Sequence, residues 1–400
     1  MERDGCKFRR DVLRGVGAAV AGTGLVGVAS AGGPETVEVN VGYSAPSGLR
    51  AARAEAAAVV REFAFDALTI RVSENAIAGL RQRPDVRYVE ANGTMHAIHH
   101  RDGHDGGPGG GDDGGSTSQT LPWGVDRVDA ETAHANGDTG AGADVAIIDT
   151  GIDSDHPDLQ ANLGEGKAFV KCKGGDCNVA WDDDNDHGTH CAGIADADDN
   201  DEGVVGVSTE ATLHAVKVLD KRGSGSFSDI AAGIEYTADQ GWDVGSLSLG
   251  ASSGSQTVKD ACTYAHDRGV LLVAAAGNDG PCTDCVGYPA AYSECIAVAS
   301  SASDDTLSDF SSTGSEVELI APGTDIYSTI PGGYDTFSGT SMACPHVSGA
   351  ATHLMANGYT NEEARSRLKS TAEDVGLADN EQGSGLLDAA TALGYDSGDD

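Results

Sequence analysis

From residue 119 onward one pattern repeats. Short apolar runs stand at residues 145–148, 213–219, 244–249, 270–276, 295–299 and 317–320. Helical spacing fills several of the gaps, notably 229–238 and 257–268. Continuous apolar runs of strand length are buried on both faces, and strands alternating with helices make a parallel sheet covered on both sides. The expected fold class is α/β, a doubly wound and mostly parallel sheet. Ligands of such sheets bind beyond the carboxyl ends of the strands.

The chain before this region reads differently. Residues 65–72 alternate like a strand, and Ser73 is placed to cap a helix with Ala76, Ile77 and Leu80 on one face. Pro84 and Asp85 end that helix, and residues 86–90 return as a strand. This predicts a small α+β module over residues 32–98, of β-α-β form, with little core of its own. Residues 1–31 have the form of an export signal: Arg9-Arg10, a weakly hydrophobic Gly/Ala/Val run over 15–28, and Ala29-Ser30-Ala31 as a cleavage site. The paired arginines point to the twin-arginine (Tat) route. The apolar run is too short to span a bilayer, so no membrane anchor is expected. Residues 99–118, rich in Gly, Asp, His and Ser, read as a flexible linker with a processing site. The main domain is set at 119–395, and 396–400 is an acidic tail.

Charge narrows the partners. There are 63 acidic against 25 basic residues, a net charge of −38, and only 8 of the bases are lysines. The imbalance sits in residues 119–400, with 48 acids and 12 bases, whereas 32–98 hold 8 acids and 7 bases. Such a surface repels nucleic acid and anionic membranes. Self-repulsion of this size weakens a compact fold until salt screens it, so a protein working in high salt is expected. The near-neutral charge of 32–98 suggests that packing, rather than charge, holds it to the main domain.

Cysteines add a redox reading. Cys172 with Cys177 and Cys282 with Cys285 are close pairs in polar loops, and in an exported protein each is expected to form a local disulfide. A four-cysteine zinc site is the alternative. Cys191, Cys262, Cys295 and Cys344 lie in apolar runs and read as buried thiols, with Cys191 and Cys344 candidates to approach each other.

The chemistry rests on three short segments. Asp149 stands in D-T-G-I-D, His187 in H-G-T-H-C-A-G and Ser341 in S-G-T-S-M-A-C-P-H. A hydroxyl is a poor nucleophile until an imidazole takes its proton, and the imidazole needs a carboxylate to fix its tautomer. Asp149 ends a strand, His187 opens a helix, and Ser341 precedes a helix over 342–356, where its N–H faces the positive end of the helix dipole. Pro345 is expected in the first turn of that helix. Asn278 ends A-A-A-G-N between the histidine and the serine.

Together these motifs resemble the subtilisin-like serine proteases, the subtilases, over about residues 119–395, and within them the haloarchaeal halolysins. The resemblance implies a triad of Asp149, His187 and Ser341, with Asn278 as side-chain donor to the oxyanion. It implies a substrate strand lying between Gly223-Ser224-Gly225 and Ser248-Leu249-Gly250. Ala275, Ala276, Gly277 and Gly287 would line the S1 pocket, and Phe227 and Ile230 the S4 pocket. Asp279 would bias S1 against acidic side chains. It implies a structural calcium held by the side chains of Gln119, Asp158 and Asn200 and the carbonyls of Asp198, Glu202 and Val204. The run from Asp182 to Asp186 is a candidate second calcium site. Residues 32–98 would be a propeptide, inhibitor and folding aid, with residues 95–100 in the active site before self-cleavage. The expected function is a secreted, broad-specificity serine endopeptidase acting on proteins and peptides, a monomer made as a zymogen. The second reading is a non-catalytic binding protein that keeps the same shell.

Overall fold

The computed structural model describes residues 36–98 and 119–397, apart from 174 and 176. The expected export signal, the linker and residues 398–400 of the tail lie outside the described residues. No described helix is long and apolar enough to cross a membrane.

The N-terminal module is richer than a β-α-β unit. It runs β1 Thr36–Tyr43, α1 Pro46–Glu55, β2 Ala56–Phe63, β3 Ala67–Ser73, α2 Glu74–Arg81 and β4 Val86–Ala91. The antiparallel sheet has the order β2-β3-β1-β4. Val39, Val41, Leu68, Ile70 and Leu80 form its small core. Ser73 takes the N-cap position of α2 as expected, but its side chain makes no capping bond. A further strand, β5 Thr94–Ala97, leaves this sheet and pairs elsewhere.

The main domain opens with α3 Trp123–Arg127 and α4 Ala130–Ala135, then β6 Asp144–Asp149, β7 Lys167–Ala168, α5 His187–Asp196 and β8 Thr212–Lys217. Next come β9 Ser224–Ser226, α6 Phe227–Gln240, β10 Val244–Leu247, β11 Leu249–Gly250, α7 Gln256–His266 and β12 Leu271–Ala275. β13 Cys295–Ser301, β14 Val317–Pro322, β15 Ile326–Ile330, β16 Gly333–Phe337 and α8 Thr340–Ala356 complete the framework. The sheet is parallel in the order β14-β13-β12-β10-β6-β8-β7.

Strand periodicity explains why helices cover both faces. In β6, Val145 and Ile147 join one apolar core with residues of α5 and α8, while Ala146 and Ile148 join a second core with residues of α6 and α7. β12 divides in the same way: Leu271, Val273 and Ala275 against Leu272 and Ala274. After β6 the chain adds β7 and β8 on one side, then crosses to β10 and builds the other side, so strand order reverses at β6. Asp149, the last residue of β6, therefore stands at the switch point where such folds place ligands.

Candidate active site

Asp149 and His187 meet where β6 ends and α5 begins. His187 Nδ1 lies 2.8 Å from Asp149 Oδ1, and both side chains are buried. Thr150 supports the pair twice: its N–H donates to Asp149 Oδ1 at 2.6 Å, and its Oγ1 accepts the Gly188 N–H at 2.8 Å. Ser341 is the second residue of α8 and lies close by, because its carbonyl accepts from Cys191 Sγ, one turn along α5 from His187, at 3.5 Å. Its Oγ donates to the Ser248 carbonyl at 3.0 Å. Pro345 falls at the sixth residue of α8, in the second turn. The first-turn expectation fails because the helix starts earlier, at Thr340.

Asn278 lies beside the start of α8. Its Oδ1 accepts from both the N–H and the Oγ1 of Thr340, each at 2.9 Å, and Thr340 Oγ1 accepts the Gly277 N–H at 3.1 Å. This fixes the amide so that Nδ2 is buried with no partner among the described residues. A buried donor left open is costly unless something docks on it.

The cleft holds a strand of the chain itself. β5 lies between β9 and β11 and pairs antiparallel with both, Met95 opposite Gly225, His96 opposite Ser224 and Gly250, and Ala97 opposite Leu249. Ala97 N–H donates to the Gly223 carbonyl at 2.9 Å, and Ile98 N–H to the Ser248 carbonyl at 3.4 Å. Met95 is fully buried in the cluster that contains Phe227 and Ile230. A Cβ at Gly250 would fall 2.8 Å from Ile98 Cδ1, so the glycine makes room for that side chain. Ala276 and Gly287 pair through the Gly287 N–H at 2.8 Å, and Gly277 continues from Ala275 and Ala276 at the end of β12. Asp279 is exposed, its N–H on Ser312 Oγ at 3.1 Å.

Comparison with known proteins decides the family. The model of the subtilase family matches residues 140–385. The chain belongs to the subtilase family of serine endopeptidases. It is 40% identical over 324 residues to subtilisin E of Bacillus subtilis strain 168, covering 80% of this chain and 78% of that one. Subtilisin Savinase of Lederbergia lenta is 44% identical over 278 residues, 69% of this chain and 99% of that one. An alkaline protease of Shouchella clausii is 39% identical over 328 residues, 81% and 78%.

Most of the residues expected at the calcium site of this subtilase lie together. The Gln119 amide lies 2.7 Å from the Asp198 carbonyl and 3.0 Å from that of Val204. Asp158 is buried, with Oδ1 3.4 Å from the Asn200 amide and Oδ2 on the Val204 N–H at 2.9 Å. The Glu202 N–H closes on Asn200 Oδ1 at 2.9 Å, within the same loop. Turning the Gln119 amide end for end presents its oxygen beside the Asp198 and Val204 carbonyls, oxygen donors of the kind calcium takes, whereas the Glu202 N–H holds the Asn200 amide with its nitrogen towards Asp158. Gln119, Asp158 and the carbonyls of Asp198 and Val204 fit the ion.

In the run from Asp182 to Asp186, protein groups engage the carboxylates of Asp182, Asp183 and Asp184. Asp182 accepts the N–H groups of Ser154 at 3.1 Å and Val179 at 2.8 Å. Asp183 accepts those of Asn185 and Thr189, both at 2.9 Å, and burial raises its pKa. Asp184 holds the fully buried Lys217 through Nζ at 2.6 Å. Lys217 also donates to the Thr150 carbonyl and stands opposite Asp149 in the β6–β8 register. The sequence signal for it is one lysine inside an apolar run, legible only once its partner is known.

Cys172–Cys177 and Cys282–Cys285 are disulfides, so those four sulfurs are not available to zinc. Cys191, Cys262, Cys295 and Cys344 are buried thiols. Cys191 and Cys344 both lie beside Ser248, and Cys262 and Cys295 are 4.0 Å apart.

The contact between residues 36–98 and the main domain is more than packing. Arg61 pairs with Asp229 at 3.0 Å and Arg87 with Asp260 at 2.8 Å. The Glu90 carboxylate accepts the Gln256 and Thr257 N–H groups, both at 2.9 Å, and so caps α7. Asn92 Oδ1 accepts the Ser228 N–H at the start of α6, at 3.0 Å. A net charge near zero concealed these pairs, because net charge says nothing about where the arginines sit.

Proposed function

We propose that this subtilase is a secreted, calcium-stabilised serine endopeptidase for proteins and peptides, adapted to high salt and made as a zymogen that cuts itself. The observation that carries the reading is the Ser248 carbonyl. It accepts from Ile98 N–H and from Ser341 Oγ together, so the Ile98 carbonyl belongs beside the nucleophile.

In the reaction, Ser341 Oγ turns from the Ser248 carbonyl to His187, loses its proton to the imidazole, and attacks the scissile carbonyl carbon. Asp149 holds His187 in the right tautomer and balances its charge. The tetrahedral oxyanion is taken by Asn278 Nδ2, which is buried and open, and by the Ser341 N–H. His187 then protonates the leaving amine, and water resolves the acyl-enzyme by the same steps in reverse. Gln119, Asp158 and the carbonyls of Asp198 and Val204 would hold a calcium ion that stabilises the fold and takes no part in the chemistry.

In self-processing the bond broken is Ile98–His99. The fragment released from wild-type protein is expected to end at Ile98 by mass spectrometry, whatever trimming follows within 99–118. A fragment that carries Ile98–His99 uncut argues against this placement of the substrate strand. Chelation of calcium is expected to lower Tm by several degrees and to speed self-digestion; an unchanged Tm in excess chelator removes the calcium assignment. Unfolding free energy is expected to rise steeply between dilute buffer and molar salt, as screening relieves a net charge of −38. Full stability in dilute buffer speaks against adaptation to salt.

A further inference from the structure

In α8 the Ser341 carbonyl should accept the N–H of the residue four positions on, but that residue is Pro345, which has none. A buried carbonyl without a donor is unfavourable, and here two side chains from other elements supply the donors. Ser248 Oγ donates at 2.8 Å, and the Cys191 thiol at 3.5 Å.

We propose that Ser248 and Cys191 are positioning residues for the nucleophile, acting through the Ser341 main-chain carbonyl. This rests on reading Ser341 as the nucleophile. The two residues tie the carbonyl to the rest of the site. Ser248, between β10 and β11, grips Ser341 from both sides: its hydroxyl meets the Ser341 carbonyl, and its own carbonyl meets the Ser341 hydroxyl. Cys191 lies on α5 behind His187, and its Sγ, an Asp149 carboxylate oxygen and a His187 ring nitrogen are all within 4.8 Å of one another. One thiol thus bridges the dyad and the serine backbone. Burial and the nearby Asp149 hold the thiol well above its ordinary pKa, so it stays a donor. The position of Ser341 Oγ follows its Cα, and a displacement of about 1 Å in a reacting group costs on the order of 10²-fold in rate.

The test compares Ser248→Ala, Ser248→Thr, Cys191→Ala and Cys191→Ser as mature enzymes counted by active-site titration. Ser248→Ala is expected to lower kcat roughly 10-fold with KM little changed, because the peptide contact is the main-chain carbonyl, which the variant keeps. Its rate of phosphonylation at Ser341 should fall in parallel, and Ser248→Thr should recover most of both. Cys191→Ala is expected to lose roughly 3-fold in kcat, and Cys191→Ser to recover it. A variant with lower Tm but unchanged kcat per titrated site, or raised KM at unchanged kcat, overturns the proposal. If Ser248→Ala does not mature, the cysteine pair decides alone: wild-type kcat in Cys191→Ala overturns it. Wild-type enzyme that resists phosphonylation would instead sink the underlying reading of Ser341.

Discussion

Ser341→Ala protein is expected to lose about 10⁶-fold in kcat, the loss seen when the nucleophile of subtilisin is removed, and to stay full length. The size follows from how the three side chains divide the work. His187 is held by Asp149 at 2.8 Å, which prepares the imidazole to take a proton but provides no electrophile trap of its own. Without Ser341 Oγ the imidazole has only water to activate, and the covalent route disappears. The residual rate reflects the open Asn278 amide and the cleft, which bind and polarise a peptide without a nucleophile. Chain length gives a second readout. If residues 36–98 are released by the enzyme's own serine, the variant keeps them joined, with β5 in the cleft. A Ser341→Ala preparation that shortens in pure form, or that turns over peptide at wild-type rates, contradicts both parts.

Loss of stability on mild acidification is the second large effect, and buried histidines are its source. Burial lowers the pKa of His190 to about 3, and those of His346 and His353 to about 4. Each ring serves a structural hydrogen bond: His190 Nε2 meets the Ile326 carbonyl at 3.1 Å, His346 Nδ1 that of Met342 at 2.8 Å, and His353 Nε2 that of Val207 at 2.7 Å. Unfolded, a histidine titrates near 6.5. Above that pH neither state binds the proton. Below it the unfolded chain takes up protons that the folded chain refuses, so stability falls as pH drops. The fall begins near pH 6.5 and is complete near the folded values of about 4 to 3. Each ring contributes roughly 2–3 kcal/mol by pH 4. Asp183 and Asp196 work in the opposite direction, because burial raises their pKa values and the folded state protonates first, which offsets part of the loss. Denaturant unfolding of Ser341→Ala protein, which excludes self-digestion, should show stability dropping between pH 6.5 and 5 in constant molar salt. A flat or rising profile across that interval contradicts the balance.

The reacting groups were legible in the sequence because each sits at an element boundary with a distinctive flank: Asp149 after an apolar run, His187 before a glycine-rich helix, Ser341 before a small-residue helix. The parallel sheet was legible for a related reason, since strands buried on both faces read as unbroken apolar runs. What supports these groups was harder to see. Thr150 and Thr340 are ordinary threonines in sequence, and their value lies in where their hydroxyls meet Gly188 and Asn278. The Ser248 hydroxyl gains a role only because Pro345, a turn and a half into α8, leaves a carbonyl open. The N-terminal module shows both cases. β1 alternates Val37, Val39, Val41 and Tyr43, a signal present in the sequence that the β-α-β reading left out. β2 gives no such signal, because it is a sheet edge whose Val59 and Val60 remain 45% and 43% exposed, so no face stands out.

The most direct measurement is the intact mass and peptide map of the mature protein after reaction with a phosphonylating inhibitor. One adduct per chain, on the peptide containing Ser341 and absent from Ser341→Ala, is the result required by a hydroxyl activated through His187 and Asp149. Protein that remains unmodified, or carries its adduct on another residue, would mean that these side chains do not form a working nucleophile and that the fold is kept for binding alone.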